Sequence, residues 1–140
     1  MRPKTWLRAG LVLLAVLDGV VGAWQYFFPR SFFDDFPTVE LDPPYNEHLV
    51  AAVGGLNLAL VAILVYAAVV LEYRVVMAAL AGFAIYAGTH FLWHVTNFDG
   101  FPVQDAVAVG TGLGFEVVLT IALLFLAYSA RNEELSAAAP

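Results

Sequence analysis

The chain has 140 residues, of which 61% are hydrophobic and 13% charged, with a formal net charge of -6 and a mean hydropathy of +0.80. Soluble domains carry roughly 25% charged residues, so this composition excludes an ordinary water-solvated surface and makes lipid the expected solvent. An acidic balance without a Lys/Arg cluster excludes nucleic-acid binding. The absence of cysteine removes disulfides and thiolate chemistry, and leaves His, Asp, Glu and Asn as the groups able to do work.

The first apolar run spans residues 6–28, opened by the basic residues Arg2, Lys4 and Arg8 and closed by Pro29. At about 1.5 Å per residue, 23 residues reach ~34 Å, enough to cross a ~30 Å hydrocarbon core. A basic start followed by Leu11–Leu17 also fits a cleaved secretory signal. Asp18 within the run, and the aromatic group Trp24, Tyr26, Phe27 and Phe28 at its end, favour an uncut membrane helix with an interfacial belt.

From Pro29 to Pro44 the reading is a connector without regular structure. It holds Phe32, Phe33 and Phe36 with Asp34, Asp35, Glu40 and Asp42, and is either an interfacial loop or a lid. The second span runs from about 46 to 71, with Asn46 or Tyr45 as its cap and Glu47 in the positive end of the helix dipole. A short turn at Glu72-Tyr73-Arg74 leads to the third span, 75–97. Asp99-Gly100-Phe101-Pro102 is a turn signal before the fourth span, 103–128. Residues 1–130 therefore make one transmembrane domain, and 131–140 a polar, Ala-rich tail expected to be disordered.

The predicted fold is all-α, an antiparallel bundle of four transmembrane helices. The N-terminus, the Arg74 turn and the Arg131 tail share one side and hold five of the six basic residues. The positive-inside rule then places both termini in the cytoplasm of a multi-pass protein of the cytoplasmic membrane.

Each span carries polar residues that lipid cannot satisfy. Asp18, Asn57 and Glu116 lie about ten to thirteen residues from the outer ends, a depth of ~15–20 Å. Gln25, Asn97, Glu47 and His48 sit at the outer level. His90 and His94, four residues apart, share one helix face. A central Asp costs ~2.5–3.5 kcal/mol on the insertion scale, so such groups should face inward and mark a site. The expected lining is Asp18, Gln25, Asn57, His90, His94, Asn97 and Glu116, open to the outer side.

The occupant is a small amphipathic ligand such as a quinone or lipid fragment, or a divalent metal held by His90 and His94 with His48 and Glu47. Asp99 is a further acid near the same pair. A haem would need a histidine pair on two helices at matching depth. Only His48 and His94 offer one, both near the surface, which argues against haem. Two other readings stand beside this one. The polar groups form a proton-coupled or redox enzyme component, or an interhelical network that only specifies packing, with His90 hydrogen-bonded to Asp18 or Glu116. Glycines flanking the polar residues (Gly19, Gly22, Gly54, Gly55, Gly88, Gly110, Gly112, Gly114) fit close helix packing. No serine elbow and no phosphate-binding loop is present, so whether the chain is an enzyme stays open.

The proline after span one, then Pro44-Tyr45-Asn46-Glu47-His48-Leu49 and Val53-Gly54-Gly55-Leu56-Asn57-Leu58-Ala59-Leu60, resemble small bacterial four-helix membrane proteins of the DoxX-like kind. Ala51-Ala52-Val53 lacks the basic residue usual at that point in the family. The resemblance implies a four-span layout and, from some members, a link to quinone-coupled sulfur oxidation. Separately from the resemblance, the polar interior also suits an accessory subunit with a membrane-protein partner or a homo-oligomer.

Overall fold

The computed structural model describes residues 3–41 and 44–137, so Met1, Arg2, Asp42, Pro43 and the last three residues of the tail lie outside the described residues. Among the described residues there are five α-helices and no strand: α1 (Pro3–Phe27), α2 (Pro29–Asp35), α3 (Glu47–Val70), α4 (Tyr73–Val95) and α5 (Val103–Ala137). Four of them, all except α2, are long and apolar enough to cross a membrane, which makes this a multi-pass membrane protein.

The helix boundaries follow from local chemistry. The residue before a proline is disfavoured in the α region, and Phe28 (φ -138°) breaks the chain between α1 and Pro29 at the start of α2. Asn46 caps α3 as expected, its Oδ1 accepting from the Leu49 amide at 3.0 Å. Glu72 caps α4 by accepting from the Arg74 and Val75 amides at 3.2 and 3.1 Å. The turn between α3 and α4 is therefore only Leu71 and Glu72, and Tyr73 is already helical. Leu71 closes α3 in the left-handed conformation (φ 51°), its amide donating to the Ala67 carbonyl at 2.9 Å.

Two segments differ from their sequence reading. The connector after Pro29 is ordered: α2 is followed by a 3-10 turn at Val39–Leu41. Periodicity over so few residues is too short to read, whereas tertiary contacts hold α2 in place. Phe32 is buried and meets Trp24 edge-on at 5.9 Å, and Phe36 adds a third ring at 6.0 Å from Trp24. The Trp24 indole donates to Ser31 Oγ, which in turn donates to Asp35. At the other end, the segment read as the start of a disordered tail continues α5 to Ala137. Its alanines, glutamates and arginine are good helix formers with no breaker before Pro140.

α1 packs most closely on α3, and α4 on α5. A Cβ on Gly54 would sit 2.6 Å from the Tyr26 amide nitrogen and 2.9 Å from the Gly22 carbonyl oxygen, and one on Gly22 would meet Asn57 at 2.8 Å. Two glycines thus let the backbones of α1 and α3 touch. Further along the same pair, Gly19 faces Val61, and Arg8 reaches Ala68.

Between the two pairs lies a shared apolar core: Leu7, Leu11 and Leu14 of α1, Leu64 and Ala67 of α3, Val76, Leu80 and Phe83 of α4, Leu123 and Ala127 of α5. All of it belongs to the half of the helices nearest the Leu71–Glu72 turn. On α4 no residue after Ala87 is buried, and on α5 none before Thr120. The pairs share a core at one end only.

Gly54→Ala should lower stability in detergent by about 1–3 kcal/mol, because the added methyl meets backbone rather than a movable side chain. Gly82→Ala, with nothing within 4 Å of the new methyl, should leave the thermal midpoint unchanged or raise it. Equal losses at both positions would show that the α1–α3 approach is not tight.

Candidate functional site

Where the shared core stops, a polar layer begins. Asp18 of α1 and Asn57 of α3 are 4% and 1% exposed, as buried as the leucines beneath them. The phenol of Tyr86 on α4 lies within electrostatic reach of Asp18, Asn57 and Glu116, and Glu116 of α5 within reach of Asp18. All four membrane helices thus deliver a polar side chain to one level.

Three members of this layer, Asp18, Asn57 and Glu116, are residues the sequence singles out. Tyr86 was missed. Its signal was present: 86, 90 and 94 continue a four-residue repeat on one helix face, and a tyrosine in a membrane run reads as apolar unless that face is extended downward. Thr120 was missed as well. It is fully buried and donates to the Glu116 carbonyl at 2.7 Å, the usual way for a helical threonine to satisfy itself in an apolar setting.

The layer is only partly satisfied. Asn57 Nδ2 donates to Gln25 Oε1 at 2.9 Å. Asn57 Oδ1 and Asp18 Oδ2 are buried and have no partner among the described residues. A buried acceptor left unpaired costs about 1–3 kcal/mol, more for a charged group, so these atoms are where a donor from outside the chain would gain most.

Above the layer, α4 carries a column of rings. Tyr86 and His90 are 5.7 Å apart between centroids, His90 and His94 4.9 Å, and His94 and Phe98 6.3 Å. The helical repeat forces this stacking. Among the described residues, no hydrogen bond joins His90 to Asp18 or Glu116. The ring next to His90 on this face is that of His94, and the Nδ1 atoms of both are buried without partners among the described residues. Tyr86 occupies the place expected of His90, because it sits one turn deeper, level with the two carboxyls.

The remaining expected residues lie apart. Asn97 is exposed and donates to the Trp93 carbonyl at 2.7 Å, closing the end of α4. Glu47 and His48 are exposed at the start of α3. No group of three or more His, Asp or Glu able to hold a metal ion forms among the described residues, so His90, His94, His48 and Glu47 are not assembled into one donor set. Four-residue spacing supplies two imidazoles on one helix, and nothing in the packing swings the α3 terminus toward them.

The glycines divide by position. Gly22 and Gly54 serve the α1–α3 crossing, Gly110 and Gly114 lie against Phe98 and Phe91, and Gly88 and Gly112 have open space. Near the end of α1, Tyr45 packs on Phe33 at 5.2 Å, with the Arg30 guanidinium over its ring at 5.0 Å. Burial raises the Tyr45 phenol above its ordinary pKa, and Glu47 adds to this against the opposing pull of Arg30.

A double-mutant cycle on Asn57 and Gln25 should give a coupling of roughly 0.6 kcal/mol and at most ~1.7 kcal/mol in unfolding free energy. The same cycle on Gln25 and Asn97 should give none, since Asn97 bonds its own helix end. Coupling in the second pair and not the first would displace Gln25 from the layer. The chain matches no family model, no curated protein and no solved structure.

Proposed function

We propose that this protein is an antiparallel four-helix bundle of the cytoplasmic membrane whose two helix pairs part toward the outer side to receive the polar head of a small amphipathic ligand. A quinone is the ligand class we favour. In the oxidised form its carbonyl oxygens accept hydrogen bonds from the Tyr86 hydroxyl and a protonated Asp18 or Glu116. In the reduced form its hydroxyls donate to the unpaired Asn57 Oδ1 and Asp18 Oδ2, and its ring suits the column of Tyr86, His90 and His94. The observation that carries this reading is the convergence of Asp18, Asn57, Tyr86 and Glu116 from four helices, with unpaired buried oxygens on Asp18 and Asn57. The end of the shared core at that level supports an opening on the same side.

Both termini on the cytoplasmic side is part of the proposal, supported by Lys4, Arg8, Arg74 and Arg131 gathering at one end of the helices. So is kinship with the DoxX-like proteins, which rests on the four-span layout and on Pro44–Leu60. The ionisable groups of the same layer also suit a subunit that passes protons to and from a bound redox ligand.

A second reading has its own observation, the hydrogen bond from Asn57 to Gln25. On that reading the layer only fixes how α1 packs on α3.

Titrating decylubiquinone into the detergent-purified chain separates the two readings. Saturable quenching of tryptophan fluorescence is expected, weakened about five- to tenfold by Tyr86→Phe and by Asp18→Leu, the worth of one lost hydrogen bond. Quenching that rises linearly without saturation, or that the variants leave unchanged, leaves packing as the role of the layer. A fluorescent-protein fusion at the C-terminus should fluoresce and an alkaline phosphatase fusion there should be inactive. The reverse result inverts the topology.

A further inference from the structure

On the side of the polar layer nearer the Leu71–Glu72 turn, α1 and α3 flank an open groove of about 420 Å³, within the ~300–1,000 Å³ of small-molecule sites. Its origin is in the sequence. Arg8, Val12, Ala15 and Val16 fall on one face of α1, and Val65, Ala68 and Val69 on one face of α3. Ala15 and Ala68 are buried and too small to fill the space between the helices, so they form its floor. The four valines are exposed and stand as its walls.

Arg8 closes one end. Its Nε donates to the Ala68 carbonyl at 3.0 Å. That carbonyl is among the last four of α3, which have no partner within their own helix. This bond fixes the guanidinium beside the groove with its remaining N–H donors unused, and Arg8 forms no ion pair among the described residues. Trp6, exposed two residues earlier, marks the level of the membrane interface. A fixed cation at one end of a valine-walled slot suits an occupant with an anionic head and an apolar chain.

We propose that this groove holds one anionic phospholipid, its phosphate on the Arg8 guanidinium and one acyl chain between Val12 and Val16 of α1 and Val65 and Val69 of α3. Guanidinium–phosphate bonds are charge-assisted and strongest where water is scarce. A zwitterionic lipid offers the same chain but carries its own cation beside the phosphate, so it competes poorly. The site is separate from the polar layer and stands or falls independently of it.

The test is native mass spectrometry of the full-length chain in detergent, incubated with equal amounts of palmitoyl-oleoyl phosphatidylglycerol and phosphatidylcholine. One phosphatidylglycerol per chain should be retained, favoured over phosphatidylcholine by about tenfold. Arg8→Gln should abolish that preference. Val16→Trp, which fills the slot from an exposed position on the lipid side, should lower retention of both lipids. Arg74→Gln, a basic residue outside the groove, should change nothing. Equal retention of the two lipids by the unmodified chain overturns the proposal. So does undiminished retention in Val16→Trp, or a loss in Arg74→Gln as large as in Arg8→Gln. Should Arg8→Gln fail to fold, Val16→Trp decides alone.

Discussion

Lipid gives a side chain nothing to hydrogen-bond with, and the architecture of this protein follows from how four helices meet that constraint. A carboxyl or amide at membrane depth has to turn toward other helices. The helices that carry one must therefore be rotated about their axes until the groups share an interior. Asp18, Asn57, Tyr86 and Glu116, one from each membrane helix, come within electrostatic reach of one another in that way. Apolar contacts alone would leave the rotations loosely specified, since leucine against lipid and leucine against leucine differ little in free energy.

The same constraint divides the molecule along its length. Below the polar layer the helices fit side chain to side chain around Leu11, Leu14, Leu80 and Phe83, each completely buried. At the layer, α1 and α3 stay in contact because Gly22 and Gly54 bring their backbones together. α4 and α5 have no comparable device toward the other pair. Gly88 and Gly112 meet nothing, and Phe91 and Phe98 fill the space beside Gly114 and Gly110. Close packing is thus continued within each pair and given up between them.

Much of this was legible in the chain itself. Four spans, the turn signals between them and the Asn46 cap can be read from periodicity and composition, and the depth of Asp18, Asn57 and Glu116 from counting residues. Rotation about each helix axis cannot be counted in that way, which is why His90 was expected at the level that Tyr86 occupies. A tyrosine is also ambiguous in a membrane sequence, being as much at home at an interface as in a polar core. The metal set misled because sequence depth alone put Glu47 and His48 near His94, whereas side chains at a helix start point where that helix's own face directs them. α2 was hidden for another reason: seven residues give no usable period, and what orders them is Trp24, a residue of the preceding helix.

The connection between α3 and α4 is two residues long, and it lies at the packed end. The other links each stay within a pair: the segment containing α2 joins α1 to α3, and residues 96–102 join α4 to α5. The chain therefore passes from one pair to the other once among the described residues, and does so beside the core. Among the described residues, no backbone connection ties the pairs together at the far end. The molecule is built like a pair of tongs, with Leu71 and Glu72 at the rivet. On the reading proposed above, a ligand between Asp18 on one arm and Tyr86 on the other would set the span of the jaws without breaking a helix or unfolding a loop.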